Sequence, residues 1–202
     1  MTFLLLALVG YSIGSIPSSY LAMRSYTGKD IRKLGTGDAT ATAVAKHAGK
    51  RPAALAMLAE FTKAAVLILI AQVWVGEPWA GLVILTAGVL GSSWSIWLKG
   101  GGGQGQSMMC VGLLMLSPIA LLIAGAFYLV PLVITRRHHL SDYVFRFSFP
   151  VVLWAWNGSW EWGVVGALLV APPVIKQWRH GDDALDARQA IEIGHDGIGA
   201  GA

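Results

Sequence analysis

The sequence predicts an all-α integral membrane protein, built as a bundle of about seven transmembrane helices of which some are short or broken. Two features carry this prediction: the composition and the length of the apolar runs. Of the 202 residues, 55% are hydrophobic and only 13% are charged, and the mean hydropathy is +0.60. A soluble domain carries about 25% charged residues because its surface faces water. The charge content therefore excludes an ordinary soluble globule.

The apolar runs cover residues 2–23, 52–75, 79–98, 107–135, 144–156 and 162–178. A bilayer core of about 30 Å is crossed by about 20 apolar helical residues. The fourth run exceeds that length and contains Pro118, which breaks or kinks a helix because it lacks a backbone N–H. Divided there, it supplies two helices and brings the total to seven. Several runs are shorter than a full span, so we expect helices that are broken, tilted or buried in protein.

The positive charges predict the orientation of these helices. Seven of the fifteen Lys and Arg residues lie between the first two runs, whereas residues 76–78, 117–118 and 157–161 carry none. Lys and Arg accumulate in cytoplasmic loops, so we expect the amino terminus outside and the carboxyl terminus in the cytoplasm. The first run has no basic residue before it and no cleavage site after it, which favours a span over a signal peptide.

Residues 1–180 are predicted to form one membrane domain, followed by a polar cytoplasmic tail over residues 181–202. The tail has too little apolar surface to offset the entropy of ordering, so we expect it to be partly disordered. The net charge of +4 follows this topology. Because the basic residues do not form a polar domain interleaved with aromatic ones, no nucleic acid partner is predicted.

The first candidate segment covers residues 30–46 and combines flexible backbone, hydroxyls and cations. Its candidate site residues are Thr36, Gly37, Asp38, Thr42 and Lys46. Glycine lets backbone N–H groups approach an anion, and hydroxyls and cations complete the shell, so the segment predicts a phosphate site. The alternative is that Asp38 or Thr36 only caps the helix that follows.

The second candidate segment, residues 99–107, places a glycine cluster between the third and fourth spans. Its candidate site residues are Lys99, Gly102, Gly103, Gln104, Gly105 and Ser107. Because glycine disfavours a helix, the cluster is expected to serve another purpose that needs backbone without side chains. One such purpose is to hold an anion at the start of the fourth span. It is not a Walker A loop, because no Lys-Ser or Lys-Thr follows the last glycine. The alternative is a loose linker.

The third candidate segment, residues 176–186, carries Arg179, His180 and Asp183 as the last span ends. A His beside an Arg can bind a phosphate or a hydroxyl, but basic residues at a span end also act as topological anchors. Inside the spans, Glu60 and Lys63 are three residues apart and are predicted to form a structural ion pair. No metal site is predicted, because the adjacent residues His138 and His139 lack further ligands at a suitable spacing.

Several landmarks follow one another in a specific order and spacing. They are Gly14-Ser15-Ile16-Pro17, Asp30-Ile31-Arg32, Gly35-Thr36-Gly37-Asp38, Glu60 with Lys63, Gly102-Gly103-Gln104-Gly105, and Arg179-His180. In this respect residues 10 to about 188 resemble the bacterial acyl-phosphate-dependent glycerol-3-phosphate acyltransferase family, PlsY. The resemblance implies seven spans in the bacterial inner membrane. It also implies transfer of an acyl chain from acyl-phosphate to the 1-hydroxyl of glycerol-3-phosphate, giving lysophosphatidate for phospholipid biosynthesis without a cofactor.

The resemblance also implies roles for the candidate residues. Lys46, His180 and Asp38 would be catalytic. The residues that would bind the two phosphorylated substrates are Thr36, Gly37, Thr42, Lys99, Gly102, Gly103, Gln104, Gly105, Ser107, Arg179 and Asp183. Membrane lipids would surround the protein as its other partners.

The chain departs from the family pattern at three positions that bear on charge. Ser92 stands where the second motif has His, Gln104 replaces its Lys, and Asp38 replaces an Asn of the first motif. We expect Lys99 to compensate for the lost Lys. The alternative is a paralogue that binds phospholipid or a membrane partner and is catalytically silent or uses another acceptor. A transporter is disfavoured because inverted repeats are not visible.

Overall fold

The computed structural model describes residues 1–136 and 138–180, and every regular element in this part of the chain is helical. The α-helices are α1 (Thr2–Gly14), α2 (Ser18–Thr27), α3 (Ala41–Ala48), α4 (Lys50–Trp74), α5 (Pro78–Ser93), α6 (Gln106–Leu116), α7 (Pro118–Thr135), α8 (His138–Asn157) and α9 (Trp160–His180). Two 3-10 turns cover Ile31–Lys33 and Ile96–Leu98. The tail predicted for residues 181–202 lies outside the described residues.

Seven of these helices, α1 and α4 to α9, correspond to the seven predicted spans. Four helical segments are long and apolar enough to cross a membrane, namely Thr2–Thr27, Lys50–Trp74, Pro78–Leu98 and Pro118–Thr135, and Gln106–Leu116 is a shorter apolar helix. The predicted division at Pro118 is confirmed, because α6 ends at Leu116 and Pro118 opens α7. All-helical architecture with broken helices agrees with the sequence-based prediction.

The first predicted span, residues 2–23, falls within one apolar segment, Thr2–Thr27, and contains one of the expected helix breaks. The α1 helix ends at Gly14, and α2 begins at Ser18 after Pro17. Proline has no N–H to continue the helical ladder, so carbonyl groups near the break need other donors. Lys63 of α4 supplies them: its Nζ donates to the carbonyls of Ile16 (2.8 Å) and Gly14 (3.4 Å).

The predicted ion pair between Glu60 and Lys63 is confirmed, with Oε1 and Nζ 2.6 Å apart. Both side chains are largely buried. The other oxygen of Glu60 accepts a hydrogen bond from the hydroxyl of Ser92, at 3.3 Å. The pair therefore joins α4 to the break after α1 and to the end of α5, which is how charges inside a membrane bundle are usually satisfied.

The helices α1 and α5 pack closely through small residues. A Cβ added at Gly10 would collide with the carbonyl of Ile84, and one at Gly14 would collide with the carbonyl of Gly88. Small residues at such contacts let helix backbones approach each other in a membrane. Of the four long apolar segments, the one containing α5 is the most buried, so α5 forms the centre of the bundle.

The main apolar core is built from α1 and α4 to α9, and a second, smaller apolar cluster lies apart from it. Its buried members are Met23, Ile31, Ala39, Ala43, Val44, Ala53 and Leu98. They come from α2, the first 3-10 turn, the loop before α3, α3 itself, the start of α4 and the second 3-10 turn. The cluster therefore fixes two loops, residues 28–40 and 94–105, at one end of the bundle. We call this end the loop end.

Candidate active site

A pocket of about 360 Å³ opens at the loop end, where three segments of the chain meet. This volume is in the range of small-molecule sites. The 28–40 loop contributes four of the lining residues, the 94–105 loop contributes another four, and α9 contributes Ile175 and Lys176. The first two candidate segments thus meet in one pocket, together with Lys176, the first residue of the third.

The segment at residues 36–38 forms one wall of this pocket. Thr36, Gly37 and Asp38 all line it, and the Thr36 hydroxyl accepts a hydrogen bond from the Asp38 N–H at 3.4 Å. Gly37 has φ +78°, a conformation that residues with a Cβ rarely adopt. The sequence therefore needs glycine here for the turn that presents its neighbours to the pocket.

The alternative that Asp38 or Thr36 caps the following helix is wrong. The cap of α3 is Thr40, whose hydroxyl accepts a hydrogen bond from the N–H of Ala43 at 3.1 Å. A threonine at this position satisfies one of the N–H groups left unpaired at a helix start. Capping therefore does not account for the position of Asp38 in the pocket wall.

The glycine loop passes between the 36–40 segment and the end of α5. A Cβ on Gly102 would collide with the carbonyls of Ser92 and Ser93, and a Cβ on Gly103 would lie 2.8 Å from the Ala39 carbonyl oxygen. The Ala39 N–H donates to the Gly102 carbonyl at 3.0 Å. Close packing of three backbone segments thus explains why glycine is required here.

The hydrogen bonds of the glycine loop give its backbone a structural use. The N–H groups of Gly100, Gly101 and Gly103 donate to carbonyls within the chain, and the anion expected at the start of the fourth span stays a prediction. Gly102 lines the pocket. Gly103 and Gly105 are buried, and Gly105, with φ +70°, is the residue that precedes α6.

Lys176 carries a buried positive charge into the pocket from α9. The residue is 4% exposed, and its partner Asp38 is 3% exposed. The Lys176 Nζ lies 3.3 Å from Asp38 Oδ1 and donates to the Gly102 carbonyl at 2.9 Å. One ammonium group therefore joins α9 to both loops.

Lys176 opens the third candidate segment, but sequence reasoning did not select it as a site residue, because basic residues at a span end also act as topological anchors. A signal was present in the sequence. Lys176 falls inside the apolar run 162–178, where a charged residue is costly and usually has a partner or a function.

Arg32 also lines the pocket, but Asp30 already binds its guanidinium group. The Arg32 Nε donates to Asp30 Oδ1 at 3.0 Å, and a second nitrogen donates to Oδ2 at 2.6 Å. This hydrogen bonding is the main cause that lowers the pKa of Asp30 to about 2. It also raises the pKa of Arg32 above its ordinary value. Arg32 extends to the 94–105 loop through a longer hydrogen bond to the Leu98 carbonyl, at 3.4 Å.

The structure places other predicted residues outside the pocket lining. Thr42 and Lys46 are exposed on α3, and Lys99 is exposed in the glycine loop. Gln104 and Ser107 are half-buried and are not among the lining residues. Asp183 and the side chains of Arg179 and His180 lie outside the described residues. Lys176, rather than the expected Lys99, therefore supplies a buried positive charge to the pocket.

Across residues 1–136 and 138–180, no three His, Cys, Asp or Glu side chains lie close enough together to hold a metal ion. The pocket instead combines an ammonium, a carboxylate, a hydroxyl and a guanidinium group with glycine backbone. Such a set can bind a phosphorylated ligand and can stabilise negative charge in a transition state.

Comparison with known proteins decides the family. The family model described as glycerol-3-phosphate acyltransferase matches residues 4–188. The chain belongs to the glycerol-3-phosphate acyltransferase family. This confirms the resemblance seen in the sequence motifs.

Relatives named glycerol-3-phosphate acyltransferase match most of the chain. One from Parasynechococcus marenigrum is 34% identical over 183 residues, which cover 89% of this chain and 84% of the relative. Another, from Thermosynechococcus vestitus, is 35% identical over 187 residues and covers 87% of both chains. A third, glycerol-3-phosphate acyltransferase 1 of Dehalococcoides mccartyi, is 36% identical over 154 residues, 73% of this chain and 74% of the relative.

The fold agrees with that of a solved member of the same family. The crystal structure of PlsY, an integral membrane glycerol 3-phosphate acyltransferase, in its glycerol 3-phosphate form matches with a TM-score of 0.77 at 22% identity. The match covers 93% of this chain and 94% of the PlsY chain. The lysophosphatidic acid form of PlsY matches with a TM-score of 0.71 at 20% identity. The chain is thus a multi-pass membrane protein with the architecture of this family.

Proposed function

We propose that this chain transfers an acyl chain from an acyl-phosphate to the 1-hydroxyl of glycerol-3-phosphate. The products are lysophosphatidate and inorganic phosphate. The observation that carries the proposal is the pocket at the loop end, where Thr36, Asp38, Gly102 and Lys176 meet in a member of the glycerol-3-phosphate acyltransferase family. Because both substrates carry phosphate, a pocket rich in hydrogen-bonding groups and cations suits them.

The reaction needs no covalent enzyme intermediate. The 1-hydroxyl oxygen attacks the acyl carbonyl carbon and forms the new ester bond, and the bond from that carbon to the phosphate oxygen breaks. The leaving phosphate takes the electron pair of the broken bond, and the hydroxyl proton can pass to it. Negative charge develops on the carbonyl oxygen and on the leaving phosphate, so pre-positioned donors and cations lower the barrier.

The pocket suggests a division of roles among the residues. Thr36 and the backbone around Gly37 and Gly102 are assigned to hold phosphate. Trp94 and Ile175 form an apolar part of the lining, where the acyl end of the donor would lie.

Asp38, in the pocket wall, is assigned as a catalytic group. Three further residues are assigned to the acceptor substrate, glycerol-3-phosphate. Lys46, Lys99 and His180 are assigned to attract and orient glycerol-3-phosphate. Lys46 and Lys99 are exposed, and exposed cations near a site raise the encounter rate of an anionic substrate.

The loop end is proposed to face the cytoplasm of a bacterial inner membrane, with the amino terminus outside. The support is the charge distribution: seven of fifteen basic residues lie between the first two spans, at the end that carries the pocket. Cytoplasmic loops collect Lys and Arg. A water-soluble phosphorylated acceptor would then reach the pocket from the same compartment.

The direct test is an activity measurement with the purified protein in lipid mesophase. Palmitoyl-phosphate and glycerol-3-phosphate are supplied, and released phosphate and lysophosphatidate are both quantified. We expect the two products in equal amounts, and no product when palmitoyl-CoA replaces palmitoyl-phosphate. Equal rates with both donors would contradict the acyl-phosphate assignment.

A matched pair of lysine variants tests the assignment on α3. Lys46→Ala should lower turnover, whereas Lys50→Ala removes the same charge from an exposed lysine at the start of α4 and should leave turnover unchanged. If Lys46→Ala has full activity in folded protein, its assigned role is wrong.

A second candidate function is binding of a phosphorylated lipid without turnover, or acylation of another acceptor. It is favoured by Asp38, because a carboxylate in the pocket wall opposes an anionic substrate. Bound glycerol-3-phosphate without products would support binding alone. Acyl transfer to a different polyol phosphate would support the altered acceptor.

A further inference from the structure

The buried ion pair between Asp38 and Lys176 has a geometry that leaves part of the ammonium group unused. Among the described residues, Lys176 Nζ has two acceptors: the Gly102 carbonyl at 2.9 Å and Asp38 Oδ1 at 3.3 Å. An ammonium group has three N–H donors. One donor is thus available to a ligand in the pocket that Lys176 lines.

The contact with the carboxylate is also long for an ion pair. Charge-assisted N–H···O hydrogen bonds usually measure about 2.7–2.9 Å. In this site the neutral carbonyl of Gly102 is the closer acceptor, and the carboxylate of Asp38 is the more distant one. The backbone carbonyl of Gly102 therefore does most to position the ammonium group. Its hydrogen bond to the Asp38 carboxylate is longer, and hence weaker, than that of a close ion pair.

The other cations near the pocket are less suitable. Arg32 is bound by both oxygens of Asp30, at 3.0 and 2.6 Å, and its side chain is 38% exposed. Lys46 and Lys99 are exposed and do not line the pocket. Burial strengthens electrostatic attraction, because less water screens the charges. Lys176 is therefore the cation best placed to bind an anion strongly.

We propose that Lys176 binds the phosphate group of a substrate and that Asp38 is its counter-ion while the pocket is empty. The proposal rests on the proposed function, which supplies a phosphorylated substrate. A buried ammonium without a counter-ion is costly, which gives Asp38 a role before a ligand arrives. Once a phosphate is bound, the carboxylate repels it and limits its affinity.

This arrangement differs from a purely structural ion pair in one measurable way. If the pair only braced α9 against the two loops, removing either charge would weaken the site in the same direction. If Lys176 binds phosphate and Asp38 competes with it, the two substitutions change phosphate affinity in opposite directions. The sign of the effect therefore separates the two roles.

The test uses the full-length protein with Lys176→Met, Asp38→Asn and the double variant. Equilibrium binding of inorganic phosphate is measured together with KM and kcat for each substrate. Lys176→Met should weaken phosphate binding about 10- to 100-fold, the typical effect of losing a hydrogen bond to a charged group. Asp38→Asn should tighten phosphate binding by about threefold or more, because it removes the negative carboxylate that repels the negative phosphate.

The double variant keeps the test informative if a single variant is unstable. Replacing both members of a buried ion pair by neutral groups of similar shape is usually tolerated better than removing one. Its phosphate affinity should lie between those of Lys176→Met and the parent protein, because the ammonium group is lost and the repelling carboxylate is lost with it. Glu60→Gln is the matched control, since Glu60 belongs to another buried lysine pair outside the pocket lining; it should lower the melting temperature without changing phosphate affinity.

The kinetic measurements identify which phosphate Lys176 contacts. A changed KM for glycerol-3-phosphate alone assigns it to the acceptor, and a changed KM for palmitoyl-phosphate alone assigns it to the donor. Affinity changes of the same sign in both single variants, or no change in either, overturn the proposal. Opposite changes in phosphate affinity without turnover of either substrate support Lys176 as the phosphate ligand and contradict the proposed function.

Discussion

The contact between α1 and α5 predicts different effects for the same substitution at two glycines. Gly10 and Gly125 both lie inside apolar helices, α1 and α7. A Cβ added at Gly10 would collide with the Ile84 carbonyl and would lie 3.1 Å from Ile84 Cγ1 and 3.2 Å from Ala87 Cβ. A Cβ added at Gly125 would meet nothing within 4 Å. Gly125→Ala is therefore a matched control for Gly10→Ala.

The magnitude follows from two opposing terms. Replacing Gly by Ala in a helix interior stabilises it by about 1 kcal/mol, and this gain applies to both variants. Overpacking adds a cost of about 1–3 kcal/mol, and only Gly10→Ala incurs it, because the obstacle is backbone that cannot rotate away. The two variants should therefore differ in stability by about 1–3 kcal/mol, with Gly10→Ala the less stable.

The assay is thermal unfolding of both variants and the parent protein in one detergent, followed by tryptophan fluorescence. A change of about 1 kcal/mol shifts the melting temperature of a protein of this size by about 2–4 °C. Gly125→Ala should melt at or above the parent temperature, and Gly10→Ala below Gly125→Ala. Equal shifts for the two variants would refute the close approach of α1 to α5.

Three other predictions concern charges. Lys63→Met should destabilise the protein by about 3–5 kcal/mol, because it leaves the buried carboxylate of Glu60 without its lysine partner. Adding Glu60→Gln should recover part of that loss in the same unfolding assay. Asp30 has a pKa of about 2 in the folded protein against an ordinary value of 3.8, so its stabilising effect is complete above pH 3.8 and is lost as the pH falls towards 2. The melting temperature of the parent protein should therefore decrease over this interval more than that of Asp30→Asn, and parallel curves would contradict the pairing. With the native cysteine removed, Glu77→Cys should react with an impermeant maleimide in intact cells, and Lys29→Cys only after permeabilisation; the reverse pattern would invert the proposed orientation.

Local features of this fold were predictable from the sequence because they depend on near neighbours. Pro118 separates two helices wherever it falls in an apolar run, and Glu60 meets Lys63 because residues three apart share a helical face. Broken helices were expected, but the break at Pro17 was not assigned, because residues 2–23 were treated as a single apolar run. The hydropathy of a run predicts whether the run can lie in lipid. It does not predict whether the helix within that run is continuous.

The candidate site was predictable in part. The motif loops were expected on one side of the membrane, and the structure brings Thr36, Gly37, Asp38 and Gly102 into one pocket. The partner of Asp38 was not foreseen, because Lys176 lies 138 residues further along the chain. No periodicity relates two residues at such a separation, and only the packing of α9 against the loops brings their charges together.

The bridging position of Lys176 also has a consequence for biosynthesis. The pocket is assembled from residues near 36, near 100 and near 176, so its final wall emerges only when the ribosome has completed most of the chain. Until α9 docks, Asp38 and the Gly102 carbonyl lack their shared ammonium donor. Assembly of the pocket is therefore coupled to insertion of the last helix, and a nascent chain arrested before α9 has an unfinished ligand site.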